Sequence, residues 1–217
     1  MKELIIRLKN ISFSYDKTAV LQDINLEVYR GDRVGLIGPT GSGKTTLLYI
    51  IMGLLKPQKG AVEIFGKIRN KEKDFTEVRQ KIGLLFQDSD SQLFCPTVKE
   101  DIAFGPLNLG KTKKEAMEIV KETCDILGLK GFEDRLTHKL SGGEKRLVAL
   151  ATVIAMRPIC YLLDEPSSGL DEDTLHRVLN YLKNYANTYI VVSHDLRFIE
   201  ATSEKIYLLK KGKLTLL

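Results

Sequence analysis

The run GPTGSGKTT, from Gly38 to Thr46, carries the most readable chemistry in the chain. Gly38, Gly43, Lys44 and Thr45 fit the spacing G-x-x-x-x-G-K-[ST]. Glycines at 38, 41 and 43 permit positive φ, so successive backbone N–H groups can turn inward around a phosphate chain. Pro39, Thr40, Ser42 and Thr46 complete the loop. Lys44 has the reach and charge for β- and γ-phosphates, and the Thr45 hydroxyl is a hard oxygen ligand suited to Mg²⁺. These residue types at these spacings point to a bound nucleotide.

Such a loop works only between a strand and a helix. The apolar run Val34–Ile37 precedes it, and Leu47, Leu48, Ile51, Leu54 and Leu55 follow at helical spacing. The helix then adds its positive end to the anion site. Further polar residues close other apolar strands: Gln87 after Ile82–Phe86, Asp164 and Glu165 after Ile159–Leu163, and His194 after Thr188–Val192. In a parallel sheet those ends converge on one edge, where ligands bind. Asp164 is placed to bring a carboxylate to the cation at Thr45, and Glu165 to take a proton from attacking water. A second anion site is written at Ser141-Gly142-Gly143, where a hydroxyl, glycine-exposed N–H groups and a helix start coincide.

The positioning elements follow in order. Leu4–Ser14, with an irregularity at Asn10, and Leu21–Tyr29 read as antiparallel edge strands, and Ala61–Phe65 as another strand. Lys67–Lys81 is basic but interrupted by Glu72, Asp74 and Glu77, which reads as a solvated face. Thr97 with Glu100, Thr112 with Glu115 and Ser141 with Glu144 are capping pairs that start helices; Gly128 ends the second, and Asp171 caps another over Thr174–Tyr185. A hairpin, Lys205–Leu209 with Lys213–Leu217, follows. The expectation is one unit over residues 1–217, with a catalytic core at about 1–87 and 158–217 and a helical part at about 88–157.

At 217 residues, with a net charge of +5, the chain has ample core and suits a polyanionic ligand. Its apolar runs fall short of a membrane span and its N-terminus lacks a signal-type block. Cys95, Cys124 and Cys160 read as free thiols in a reducing compartment, and His138 and His176 as surface residues.

LSGGEKR, Leu140–Arg146, resembles the signature of ATP-binding-cassette (ABC) ATPases, and the set around it is complete. GPTGSGKTT resembles their Walker A, Gln87 their Q-loop, YLLDEP their Walker B, SGLD with Asp171 their D-loop and VSHD their H-loop. The resemblance implies an α/β P-loop NTPase fold: a mixed RecA-like core, an antiparallel β edge sheet, and a helical subdomain inserted between Walker A and Walker B. It implies hydrolysis of ATP with Mg²⁺, with Glu165, His194, Gln87 and Lys44 as catalytic residues. Thr45, Gln87 and Asp164 are implied near the metal, and Tyr15 against the adenine. It implies a head-to-tail partnership with a second ATPase subunit, whose Walker A loop would face Ser141, Gly142 and Gly143 across the nucleotide; Asp171 is implied in the same binding set.

FQDSDSQLFCPTVKEDIAFGPLNLG and GGEKRLVALATVIAMRP are similar to ATPases of energy-coupling-factor (ECF) importers, including the cobalt and nickel group, with Ser89 in place of a usual proline. Many of those ATPases continue into a C-terminal domain, whose dimer contact is in doubt here. The resemblance implies a motor on the cytoplasmic face of the membrane, bound to integral membrane subunits, with no nucleic-acid partner. Phe94, Phe104 and Leu107 suit either the docking surface for those subunits or a buried core. The competing reading is a soluble ABC-type ATPase acting on nucleic acid in repair or translation.

Overall fold

A computed structural model describes residues 2–217. The chain opens with two long strands, β1 (Leu4–Tyr15) and β2 (Thr18–Tyr29), then β3 (Arg33–Ile37), α1 (Lys44–Ile51), β4 (Lys59–Ile64) and a short β5 (Lys67–Ile68). Next come α2 (Phe75–Lys81), β6 (Ile82–Leu85), and the helices α3 (Val98–Asn108), α4 (Lys113–Leu127) and α5 (Gly142–Ala155). The chain continues through β7 (Cys160–Asp164), α6 (Glu172–Asn184), β8 (Tyr189–Val192) and α7 (Leu196–Thr202) to the hairpin β9 (Lys205–Lys210) and β10 (Lys213–Leu216).

Two sheets result. One is a four-stranded antiparallel sheet in the order β2-β1-β4-β5; the other has six strands in the order β10-β9-β3-β8-β7-β6. In the second, β3, β6, β7, β8 and β9 run parallel and only β10 is reversed. β6, β7 and β8 are buried on both faces, so their side chains feed two cores alternately. Leu84, Leu162 and Ile190 meet α1 and the antiparallel sheet, while Leu85, Leu163 and Val191 meet α3, α4 and α5. The helical insertion thus lies between β6 and β7 and shares a core with the sheet. Asp32, buried at the β2–β3 turn, accepts from Lys205 Nζ at 2.7 Å and from Tyr29 N at 3.0 Å, tying the two sheets together.

The irregularity expected at Asn10 is present: Asn10 has φ of 53° and the register of β1 against β2 shifts between Leu8 and Ile11. All three capping pairs form, with the N–H of Thr97, Thr112 and Ser141 donating to Glu100, Glu115 and Glu144 at 3.0, 2.8 and 2.7 Å. Local spacing misleads at Leu54, which is exposed, because α1 ends before Gly53 (φ 68°) and the chain turns away. The basic stretch 67–81 keeps its lysines in solvent, yet it also buries Arg69, Phe75 and Val78. Arg69 donates to the carbonyls of Ile64 and Asp74 and to Glu77, so its charge serves the fold. Among the described residues no helix is long and apolar enough to cross a membrane.

Candidate active site

Because β3, β6, β7 and β8 are parallel, their carboxyl ends lie on one edge of the sheet, with β3 next to β8 and β8 next to β7. A cleft of about 340 Å³ opens there, lined among others by Tyr15, Thr40, Gly43, Lys44, Thr45, Gln87, Asp164 and Glu165. Residues spread over some 150 positions of sequence meet in it, since the sheet order brings β7 close to the loop after β3.

The loop itself has little spare room. Gly38, Gly41 and Gly43 all have positive φ, at 155°, 77° and 101°. A methyl on Gly38 would come 2.1 Å from the carbonyl oxygen of Leu209, and one on Gly43 would come 2.6 Å from Val20 Cγ1. Only glycine satisfies both the conformation and the space. Lys44 Nζ donates to the carbonyls of Gly38 and Pro39 at 2.8 and 3.1 Å, folding over its own loop. Ser42 Oγ is buried without a partner. Such a loop, with an ammonium, an orphaned hydroxyl and a helix start, fits a phosphate chain.

Beside it, Thr45 Oγ1 donates to Asp164 Oδ2 at 2.6 Å. Burial pushes the Asp164 carboxyl above its ordinary range, against the lowering effect of the Thr45 bond. A buried carboxylate next to a hydroxyl is a fitting cradle for a hard cation. Among the described residues no group of three His, Cys, Asp or Glu is arranged to hold a metal ion by itself. A divalent cation here would therefore draw its other ligands from a neutral oxygen such as the Gln87 amide, from phosphate oxygens and from water.

Glu165 sits on a strained backbone, with φ of 51° for a non-glycine residue. Its Oε2 accepts from Ser193 Oγ at 3.1 Å and His194 N at 3.3 Å, and lies 2.9 Å from His194 Nδ1. The end of β8 therefore holds the carboxylate that the end of β7 presents. Tyr15 is half exposed at the rim, its hydroxyl 3.4 Å from Thr46 Oγ1 and its ring edge-on to Phe13.

Four of the sequence-derived site residues lie elsewhere. Ser141, Gly142 and Gly143 form the exposed N-terminus of α5, and Asp171 caps α6 by accepting from Thr174 N at 2.8 Å. None of them lines the cleft. A methyl on Gly143 would find Gly169 O at 3.6 Å, so the turn before α6 is its nearest neighbour. Phe94, Phe104 and Leu107 are 65%, 47% and 45% exposed, which removes the buried-core reading. Phe104, Leu107 and Met117 line an apolar groove of about 590 Å³ between α3 and α4, and Phe94 packs edge-on against Phe104.

Sequence reasoning missed two participants. Ser193, inside the VSHD run, bonds Glu165, and its serine-before-histidine position after a buried strand was the available signal. Arg146 was read only as the last letter of a motif, though it reaches backbone at both Gln87 and Glu165.

The family model described as ABC transporter matches residues 21–168. The ECF transporter ATP-binding protein EcfA of Methanothermobacter thermautotrophicus is 45% identical over 97% of this chain and 69% of its own length. A putative ABC transporter ATP-binding protein of Nitratidesulfovibrio vulgaris is 48% identical over 91% of this chain and 73% of its own. Among solved structures, CbiO1 of Clostridium perfringens, part of the transporter complex cbiONQ, aligns with a TM-score of 0.86 and 30% identity over 99% of this chain and 88% of its own. A dimeric ATP-binding cassette bound to ADP and Pi in a post-hydrolysis state aligns with a TM-score of 0.89 and 29% identity, covering 97% of this chain and 96% of that one. Loop, cleft and sequence agree, and the chain belongs to the ABC transporter family as one of its ATPase cassettes.

Proposed function

We propose that this chain is the motor of an ECF-type importer for a metal ion or a vitamin, and that ATP closes it head to tail on a second cassette. The observation that carries the reading is the division of the two anion sites: one lies inside the cleft and the other, Ser141–Gly143, opens to solvent away from it. Relatives named as ECF transporter ATP-binding proteins support the branch. The apolar groove around Phe104 offers a place for integral membrane subunits on a peripheral, cytoplasmic-face ATPase. The unit is read as a core at about 1–87 and 158–217 with the helical part at about 88–157.

In this reading the residues divide the work. The N–H groups of Gly38–Thr46 hold the phosphates, and Lys44 exchanges the carbonyls of Gly38 and Pro39 for phosphate oxygens. Tyr15 stacks on the adenine. Thr45, Asp164 and Gln87 would hold Mg²⁺, which when bound neutralises phosphate charge. Glu165 orients water and takes its proton, and the neighbouring His194 faces the γ-phosphate. Ser141, Gly142 and Gly143, with Asp171 nearby, belong to the cleft of the opposing subunit.

Glu165→Gln tests this directly. The variant is expected to bind ATP, accumulate as a dimer in light scattering, and lose at least about 10²-fold in hydrolysis. Unchanged turnover would sink the assignment of Glu165. Co-purification of the unaltered chain from native membranes tests the transport reading, and recovery without any integral membrane protein argues against it. A steep salt-dependent affinity for DNA or RNA would favour the nucleic-acid alternative instead.

A further inference from the structure

From the turn at Ser141, α5 runs into the core it shares with α3 and α4, and its second turn is fastened to two other segments. Arg146 is 4% exposed, and no carboxylate bonds it directly. Its guanidinium instead spans four backbone carbonyls. Nη1 donates to Phe86 O and, at 3.0 Å, to Gln87 O; Nη2 donates to Asp164 O and, at 2.8 Å, to Glu165 O. One planar fork thus grips the end of β6 with one nitrogen and the end of β7 with the other, a geometry no other side chain supplies. Burial pulls the group down to about 10, while the nearby Asp164, Glu165 and Asp88 carboxylates oppose that, so it is a cation at neutral pH.

Two further ties fasten the loop after β6 to the same helix. Lys145 Nζ pairs with Asp90 at 2.6 Å. Gln92 accepts from Phe86 N at 3.1 Å and donates to Ala149 O and Thr152 Oγ1 at 3.1 and 2.9 Å. The segment carrying Gln87 therefore rides on α5. Glu165 is joined to that helix through its main chain by Arg146, while its carboxylate is held by β8.

We propose that Arg146 is a positioning residue that couples two nucleotide sites, fixing Gln87 and Glu165 of its own cleft relative to Ser141–Gly143, which serves the cleft of a second copy. The proposal rests on the head-to-tail reading given above. A small displacement of α5 by an anion at its N-terminus moves the guanidinium, and the guanidinium moves both strand ends together. Occupancy of one site thereby adjusts the water-handling groups of the other.

The test uses the full chain carrying Arg146→Lys or Arg146→Gln. Each replaces the two-sided fork with a side chain able to serve one strand end. Three quantities are measured: affinity of the isolated chain for a fluorescent ATP analogue with Mg²⁺, ATP-driven dimerisation in the Glu165→Gln background, and steady-state hydrolysis. Both variants are expected to keep nucleotide affinity and KM within about twofold and to dimerise. Their kcat should fall at least tenfold, and the Hill coefficient for ATP should drop from above 1 to 1. Unaltered kcat and Hill coefficient overturn the proposal, and so does a loss of affinity that matches the loss of kcat, which would mark a purely structural role. If ATP fails to dimerise the Glu165→Gln chain itself, the head-to-tail reading fails, whatever the Arg146 variants do. Should neither variant fold, hydrogen exchange on the unaltered chain decides: amides at 86–88 and 165–168 must change protection together on adding ATP, and independent changes overturn the coupling.

Discussion

Two glycine-rich turns lead into helices in this chain, and they are built in opposite ways. Around Gly38–Thr46 the fold presses at both ends of the loop: Leu209 stands against Gly38, Val20 stands against Gly43, and the lysine is already engaged. Around Ser141–Gly143 it presses hardly at all. A methyl on Gly142 would meet nothing within 4 Å, and the polar groups of Ser141 are satisfied by Glu144. Electrostatics repeats the contrast. Asp164 beside the first turn is pushed up by burial, whereas Glu144 beside the second is held below its usual range by the Ser141 N–H and by Arg135. The first turn needs its glycines for the chain's own sake. Nothing within this chain asks for Gly142, which is what the proposed approach of a second subunit would leave.

Substitutions can break that comparison. Gly38→Val forces a side chain onto a backbone carbonyl at positive φ, and a loss of about 4 kcal/mol or more is expected in denaturant unfolding, together with loss of nucleotide binding. Wild-type stability in that variant would show that the loop is looser than drawn. Gly142→Val should change unfolding free energy by less than about 1 kcal/mol, because it enters open space at a helix start. ATP binding by the isolated chain should persist while turnover falls at least about tenfold. Equal losses of affinity and turnover there would place the Ser141 turn within the chain's own site.

Asp164→Asn sharpens the electrostatic half. The folded chain holds the Asp164 proton more tightly than the unfolded one, so this group favours folding less as pH rises from the ordinary carboxylate range through its raised value. Removing the charge is expected to stabilise the ligand-free chain at pH 7 by about 1 kcal/mol and to flatten that part of its pH profile, while hydrolysis is lost. Glu144 has the opposite sign: its contribution is present above the ordinary carboxylate range and fades as pH falls through its depressed value. A ligand-free chain destabilised by Asp164→Asn would contradict the buried-charge account.

What the sequence made legible was local. The phosphate loop, the three capping pairs, the left-handed end of α4 at Gly128 and the polar strand ends are each written within a few residues of where they act. What stayed hidden was tertiary. α2 hides in a stretch of alternating charges because only Phe75 and Val78 anchor it, and α7 is short and held by Asp195 accepting from Arg197 N and Phe198 N. Leu54 looked like core because helical spacing says nothing of where α1 stops. Arg146 is only the last letter of a motif in the sequence, since no local pattern announces that a buried guanidinium will collect carbonyls from strand ends sixty and eighteen positions away.

The pressure of Leu209 on Gly38 also bears on the order in which the molecule is made. β3 pairs only with β8 and β9, so the strand that carries the loop stays without neighbours until residues beyond 189 have left the ribosome. The loop's last contact waits for residue 209. A growing chain can assemble β1, β2 and β4 early, but its phosphate grip takes shape only once residue 209 has emerged. Chains released before β9 is made would therefore remain empty, and nucleotide retention would mark those that carry it.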